Sequence, residues 1–585
     1  MRYLRASELH SSTRRQVGNF LLSCLSTSTP LHIFNPSGCL RSLRRLIHHI
    51  VPSLAQYLPS MDSTSWPASV AAILSTMSYA QVVTLLFSLC SAILLLSSRR
   101  GKVHFAPVHG FRSVLEPSLF LQARFITTAY EIVGSGYKKF KDTPFLVRRY
   151  DNDVLVMPMK YLNELSRIPN KKFDSKAAAV GNFVPEWTGM EFAMETNLHI
   201  RVLSNKLTPE LSRYLDISRS ELEYAWDLEV PQADDWTEVD IQHILRMLIA
   251  RMTGRIFMGI PACRDPEWIN LTIDFAIHLF TAAFSLKMFP RWTLPFIAHF
   301  IPARYRVKKH LKKASEFMRQ SVQKSPKSLL RGEHGEPAED ETVLLSWMME
   351  NGTERETAIP EMAARQCILA VASVHTTAGN ATNIIFDLCA HPEWFPVLRE
   401  EIDHVTQELG KLGEKKDVDT RLWLSRLEKL DSFIIESQRL NPVMLVHPQR
   451  VAMEPLTLND GTRIPAGTHV GWAHHHHVMD PAITPNPEVF DPLRSYRKRH
   501  SSPEEMNKHL AGQTEPNRLS FGYGKQACPG RFFAVDEIKT LLVRLLSNYN
   551  FKYPQGKNRP KPRYANENVF VDPTARLMMK RKSTT

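Results

Sequence analysis

Cys528 stands in "FGYGKQACPGRFFA", residues 521–534, between small residues and ahead of apolar positions at helical spacing (Phe533, Ile538, Leu541, Leu542, Leu545, Leu546). Gly522, Gly524 and Gly530 let the backbone approach a flat ligand without side-chain collision. Pro529 restrains the loop, and Phe521 offers an apolar face. A helix starting near Gly530 turns its positive end towards the sulfur, which favours thiolate over thiol. A thiolate in a dry glycine loop suits iron as a soft axial ligand; a buried structural cysteine is the alternative. The seven cysteines (Cys24, Cys39, Cys90, Cys263, Cys367, Cys389 and Cys528) are scattered, which excludes zinc-ribbon and ferredoxin-like spacing and argues against a disulfide framework.

The spacing Phe521-x-x-Gly524-x-x-x-Cys528-x-Gly530 resembles the haem-thiolate loop of the cytochrome P450 family, a highly specific pattern. Glu436 and Arg439 in "IESQRLNP" resemble the family's Glu-x-x-Arg helix, and three residues apart they share one helical face. Arg494 in "FDPLR" stands where the family has the third member of a Glu-Arg-Arg network. Arg450 in "HPQRVA" stands where the family pairs an arginine with a propionate of haem b (iron protoporphyrin IX), a carboxylate that a planar guanidinium matches. Two residues before the cysteine the family usually has His or Arg facing the other propionate. This chain has Gln526, so the resemblance implies a looser clamp. The family's Trp-x-x-x-Arg helix is not recognisable, and Arg201 is the remaining candidate for its role.

Counting back from Pro392, residues 372–377 occupy the place of the family's Ala/Gly-Gly-x-Asp/Glu-Thr-Thr segment. Both threonines are kept, while Ser373 replaces the usual glycine and His375 the usual acid. The resemblance implies that Thr376 bonds oxygen and helps deliver protons for O–O cleavage. For His375 two readings stand: it relays protons near neutral pH, or it packs in the helix interior.

The elements that must position these residues read as mainly α with a small β region. "PFLVRRYDNDVLVMP" predicts two short strands about an Asn/Asp turn. Long helical patterns run from about Thr208 to Leu440, and Pro360 opens a run of about 30 residues that is apolar on nearly all sides, the pattern of a buried axis. Short strands, a proline-rich coil and the final helix follow Pro442. The resemblance covers roughly residues 105–585, which implies one haem-thiolate catalytic domain over them. The histidines His474 to His477 fall on an expected strand-to-coil stretch, with no carboxylate or cysteine pattern to make a metal site of them.

The front end reads differently. Residues 1–60 carry seven arginines, no lysine and one acid, Glu8, amid many serines, which is a transit-peptide composition or upstream sequence ahead of a start at Met61. Residues 61–104 are expected to hold a membrane anchor (span about 78–96) and a basic hinge. Arg99, Arg100 and Lys102 would keep the following domain in the cytosol, which gives a single-pass protein of the endoplasmic reticulum membrane. The net charge of +14 comes without an aromatic-interleaved basic patch, so no nucleic acid is expected as partner.

The resemblance implies a haem monooxygenase that puts one atom of O2 into a hydrophobic small molecule, with electrons from NADPH-cytochrome P450 reductase. Lys525, Arg531 and Lys539 are candidates for the basic face that meets this acidic partner. The chain is similar to fungal ent-kaurene-oxidase-like and indole-diterpene members, which implies a terpenoid, meroterpenoid or prenylated alkaloid as substrate. Expected apolar linings are the loop 173–192, the face of the long helix around Ala370 and Val374, the strand 443–446 and residues 569–571. The alternatives are a haem-thiolate isomerase or dehydratase that uses no O2, and a haem-binding protein without turnover.

Overall fold

The computed structural model describes residues 103, 105–113, 116–324, 343–415 and 417–582. The basic extension 1–60 and the apolar run 79–96 lie outside the described residues.

Helix α1 (Ser118–Lys139) precedes a hairpin of β1 (Phe145–Arg148) and β2 (Asp153–Val156). The Arg149 N–H donates to the Asn152 carbonyl at 3.1 Å and closes the turn, as the Asn/Asp pattern predicts. Strand β3 (Phe173–Asp174) leads into α2 (Ser175–Gly181), where the Asp174 carboxylate caps the first turn by accepting from the Lys176 N–H at 2.8 Å. Residues 173–192 are thus not one loop: α2 and Pro185–Thr188 are helical within them.

The helical body comprises α3 (Leu211–Glu229), α4 (Ile241–Phe257), α5 (Pro266–Lys287), α6 (Pro302–Lys324) and α7 (Ile359–Ala390). A short strand β4 (Thr237–Val239) precedes α4. Asp240 and Asp265 cap α4 and α5 by accepting backbone N–H bonds at 3.0 and 2.7 Å. Proline in the first turn starts both α5 and α7, where a missing N–H costs nothing. Along α7, Cys367, Leu369, Val371, Val374, Ala378, Ala381, Ile384, Ile385 and Leu388 are all buried, and α4, α5 and α6 pack around it. Each fully buried Leu or Ile contributes about 1.5–3 kcal/mol, so a 32-residue helix of this composition is stable only as an internal axis. Among the described residues α5 alone is long and apolar enough to cross a membrane, yet more than half of that window is buried against the helical body.

Helices α8 (Trp394–Leu409) and α9 (Glu428–Leu440) follow, then β5 (Gln449–Ala452) and β6 (His469–Gly471). The five-stranded sheet has the order β1-β2-β6-β5-β3, parallel between β2 and β6 and antiparallel elsewhere. After α10 (His474–Val478), α11 (Arg494–Arg499) and α12 (Arg531–Asn548), the chain finishes in β7 (Tyr549–Lys552), the hairpin β8 (Arg563–Ala565)–β9 (Asn568–Phe570), and β10 (Leu577–Arg581). Strand β10 pairs with both β4 and β7. The fold is mainly α with a small β region, as the sequence predicts.

Candidate active site

Cys528 occupies a turn fixed by its own backbone. The Gly522 N–H donates to the Leu519 carbonyl at 2.8 Å, and the Cys528 N–H donates to the Phe521 carbonyl at 2.8 Å. Gly522 and Gly524 sit at φ 79° and 69°, where a side chain would be strained, so this tight reversal needs them. Gly530 caps α12, and a Cβ added there would meet nothing within 4 Å, so the backbone beside the sulfur faces open space. The Cys528 side chain is exposed to that space although protein atoms crowd around it. Burial pushes its thiol up, outweighing the Gly530 backbone N–H and the Arg531 charge that both pull it down. The helix start therefore acts on the sulfur as expected, but does not by itself hold a thiolate; a bound metal cation ionises a coordinating thiol outright.

Two cations near this turn lack an anion. Arg450 is fully buried on β5; its Nη2 donates to the Tyr523 carbonyl at 2.8 Å and its Nη1 to the Leu165 carbonyl at 3.1 Å, while Nε has no partner. Burial pushes the guanidinium down to about 10. Lys176 in α2 donates from Nζ to the Met194 carbonyl at 2.5 Å and to Asn197 Oδ1 at 2.9 Å, and burial pulls it down against the attraction of Asp174. Among the described residues neither cation forms an ion pair with a carboxylate. Two partly desolvated cations without anions cost free energy unless carboxylates join them, so they fit a ligand with two such groups. Gln526 lies between them in a structural role: its Nε2 donates to the Phe173 carbonyl at 2.7 Å and its Oε1 accepts from the Ser175 N–H at 2.6 Å. It anchors the segment that carries Lys176.

Glu436 is buried and accepts from Arg439 through both carboxylate oxygens, at 2.7 and 2.9 Å. Its Oε1 also accepts from Arg494 Nε at 3.2 Å and from the Asp491 N–H at 3.0 Å. The two arginines spend their remaining donors on the carbonyls of Pro485, Asn486, Pro487 and Val489 and on the Met479 sulfur. The network thereby fastens the proline-rich coil to α9.

On α7, Thr376 is exposed and its Oγ1 donates to the Ala372 carbonyl at 2.7 Å; Ala372 is exposed as well. Ser373 is half-buried and donates to the Leu369 carbonyl at 2.8 Å. Two exposed positions one turn apart, in the middle of a helix otherwise wrapped by neighbours, mark the wall of an internal space. His375 does not share this stripe. Its ring lies near Arg246 of α4 and hydrogen-bonds the Ile273 backbone of α5, and burial together with Arg246 pushes it down to about 4. The imidazole is therefore held in its neutral form where it packs between helices, and its Nε2 has no partner among the described residues.

The family model for cytochrome P450 matches residues 194–581. Over 505 residues the chain is 41% identical to the cytochrome P450 monooxygenase ATR4 of Stachybotrys chlorohalonatus, covering 85% of this chain and 94% of that protein. The chain belongs to the cytochrome P450 family. It is also 36% identical over 501 residues to ent-kaurene oxidase P450-4 of Gibberella fujikuroi, covering 85% of this chain and 96% of that protein. In fold it matches the crystal structure of the cytochrome P450 CYP102L1 with a TM-score of 0.58 at 17% identity, over 82% of this chain and 99% of that one. As a cytochrome P450 monooxygenase the chain is an oxidoreductase that binds iron protoporphyrin IX haem.

Several expected roles in this P450 change with the structure in view. Arg201 pairs with Glu356 at 3.0 Å and is part-exposed on its helix, so its charge already has a carboxylate partner. Lys539 is buried and bonded to Asp431 at 2.5 Å, which removes it from any surface; Lys525 is exposed and Arg531 half-buried, with Arg531 Nη1 donating to the Cys528 carbonyl at 2.8 Å. His474 to His477 form the short helix α10 instead of a strand: His474 Nε2 accepts from the Leu519 N–H, His477 meets Tyr137 and Asn517, and His476 packs on Tyr130. They hold the ends of the cysteine segment and of α1. Val374 is buried in the core and lines nothing.

Sequence reasoning missed Lys176, the third lysine of the run Lys171-Lys172-Phe173-Asp174-Ser175-Lys176, and it missed half of an aromatic cluster. Phe280 and Phe284 on α5 stand one turn apart, 6.4 and 6.3 Å from Phe570 of β9, and Phe280 lies 5.3 Å from Phe183. Phe183 and Phe570 belong to the segments expected to line the pocket; the apolar richness of α5 hid its two partners.

Proposed function

We propose that Cys528 is the axial ligand of the haem iron and that this P450 oxidises a hydrophobic specialised metabolite (a terpenoid, meroterpenoid or prenylated alkaloid) in a fungal pathway. The observation that carries this reading is the tight glycine turn presenting Cys528 beside two cations that have no anion. When bound, haem supplies the activation of O2, one atom of which enters the substrate while the other leaves as water.

The protein's own residues have separable tasks. Arg450 and Lys176 bind the two carboxylates, and Gln526 keeps the Lys176 segment in place. Thr376 holds a proton at Oγ1 on the open face of α7. Phe183, Phe280, Phe284 and Phe570 form an apolar wall that suits a fused-ring hydrocarbon and excludes water. The likeness to ent-kaurene oxidases supports a terpenoid scaffold. Electrons come from NADPH-cytochrome P450 reductase, for which Lys525 and Arg531 offer positive charge around the cysteine turn. The basic residues that follow the apolar run 79–96 support an endoplasmic reticulum anchor with the catalytic domain in the cytosol.

The deciding experiment is the spectrum of the reduced protein under carbon monoxide. Wild type gives a strongly red-shifted Soret band, and Cys528→Ser abolishes it. A band that survives in Cys528→Ser overturns the assignment. NADPH-dependent O2 consumption with reductase and candidate diterpenes then separates a monooxygenase from an isomerase, which consumes neither.

A further inference from the structure

The family places an acid just before the first threonine of its oxygen-side segment, and this chain has His375 there, turned towards Arg246 and the Ile273 backbone. Some other group must then order water near Thr376. Ser373 lies off the i, i+4 row of Thr376, and its hydroxyl donates to the Leu369 carbonyl at 2.8 Å. At 3.6 residues per turn, Ala372, Thr376 and Asn380 follow one another along a single stripe of α7. Ala372 and Thr376 are exposed on that stripe and Asn380 is partly so, while a Cβ added at the adjoining Gly379 would meet nothing within 4 Å. There is open space, then, alongside the two polar side chains. Asn380 Nδ2 donates to the Thr376 carbonyl at 3.0 Å, which fixes the amide one turn beyond the threonine and leaves Oδ1 as an acceptor. The Thr376 hydroxyl gives its proton to Ala372 and keeps its lone pairs for a donor.

We propose that Asn380 is a positioning residue for proton delivery: its amide oxygen holds a water against the Thr376 hydroxyl, the task for which the family uses the acid that His375 replaces. In the delivery step a water proton passes to Thr376 Oγ1 as the hydroxyl's own proton leaves the Ala372 carbonyl for the internal space. The water regains a proton from solvent, and no electrons move. This inference rests on the haem-thiolate reading of Cys528.

The test uses the full chain with haem and NADPH-cytochrome P450 reductase, without substrate. Oxygen reduced without proton delivery ends as one H2O2 per NADPH; with delivery, two NADPH reduce one O2 to water. Wild type releases less than one peroxide per NADPH, Asn380→Leu rises to one, and Asn380→Gln, which keeps both the amide donor and the oxygen acceptor, stays nearer wild type. The resting ferric Soret band of Asn380→Leu shifts to shorter wavelength as ordered water is lost, which a purely structural role would not produce. Asn380→Ala is measured alongside, so that a poorly folding leucine variant does not decide the matter. A peroxide ratio equal to wild type, or an unmoved resting band, in a variant whose carbon monoxide band is intact overturns the proposal. A wild type lacking the carbon monoxide band fails earlier, at the ligand.

Discussion

Arg450 Nη2 reaches the Tyr523 carbonyl at 2.8 Å, so a strand of the small sheet grips the very turn that carries Cys528. The same guanidinium has no carboxylate partner and one unpartnered nitrogen in a fully buried position. Arg450→Leu is expected to lose two backbone hydrogen bonds and the cation that binds a carboxylate. The protein should fold less stably by about 1–3 kcal/mol and release haem faster; both are read from urea unfolding and from haem transfer to apomyoglobin. Retention equal to wild type would remove Arg450 from the haem site.

Glu436 neutralises Arg439 and Arg494 at once, and all three side chains are mostly buried. Glu436→Ala leaves two positive charges facing each other without an anion, at a cost of about 3–5 kcal/mol. The expected outcome is loss of the carbon monoxide band through failed folding of residues 485–494. Glu436→Gln, which keeps the shape and part of the bonding, should be milder. Equal yields of folded haem protein for both would contradict this account.

His375 tests a negative. Its imidazole is held down to about 4 by burial and Arg246, so it is neutral across the working range. A base with a depressed pKa contributes stability that is fully present above about pH 6.5 and is lost as pH falls towards 4. His375→Phe should therefore keep the ratio of product to NADPH and show no change in the pH–rate profile between pH 6 and 8, while losing part of the acid sensitivity of unfolding. A collapse of coupling would restore the relay reading.

Glu537 on α12 is buried, bonded to Thr253 Oγ1 at 3.2 Å and pushed up to about 8 by burial. An acid raised in this way stabilises the fold fully below its unfolded value near 4.5, and that contribution is lost as pH rises through about 8. Relative to Glu537→Gln, wild type should lose stability of the order of a few kcal/mol between those limits, measured as thermal midpoints over the pH series. Parallel midpoints for the two proteins would show that Glu537 does not titrate in the fold.

The sequence by itself determined what depends on local order. Phe521, Gly524, Cys528 and Gly530 form a turn whose chemistry is written in consecutive residues, and Glu436 with Arg439 is a pair made by helix periodicity. The axis helix followed from composition, because a run of about 30 residues apolar on nearly all sides fits the interior. Tertiary packing decided the rest. The direction of His375 depends on Arg246 and Ile273, more than a hundred residues away in the chain, and the burial of Lys539 depends on Asp431. Lys176 and Arg450 emerge as two cations without anions only once β3 is laid beside β5. Identity and spacing fix what a side chain can do; the neighbours brought by folding fix its charge, its partner and the space it faces.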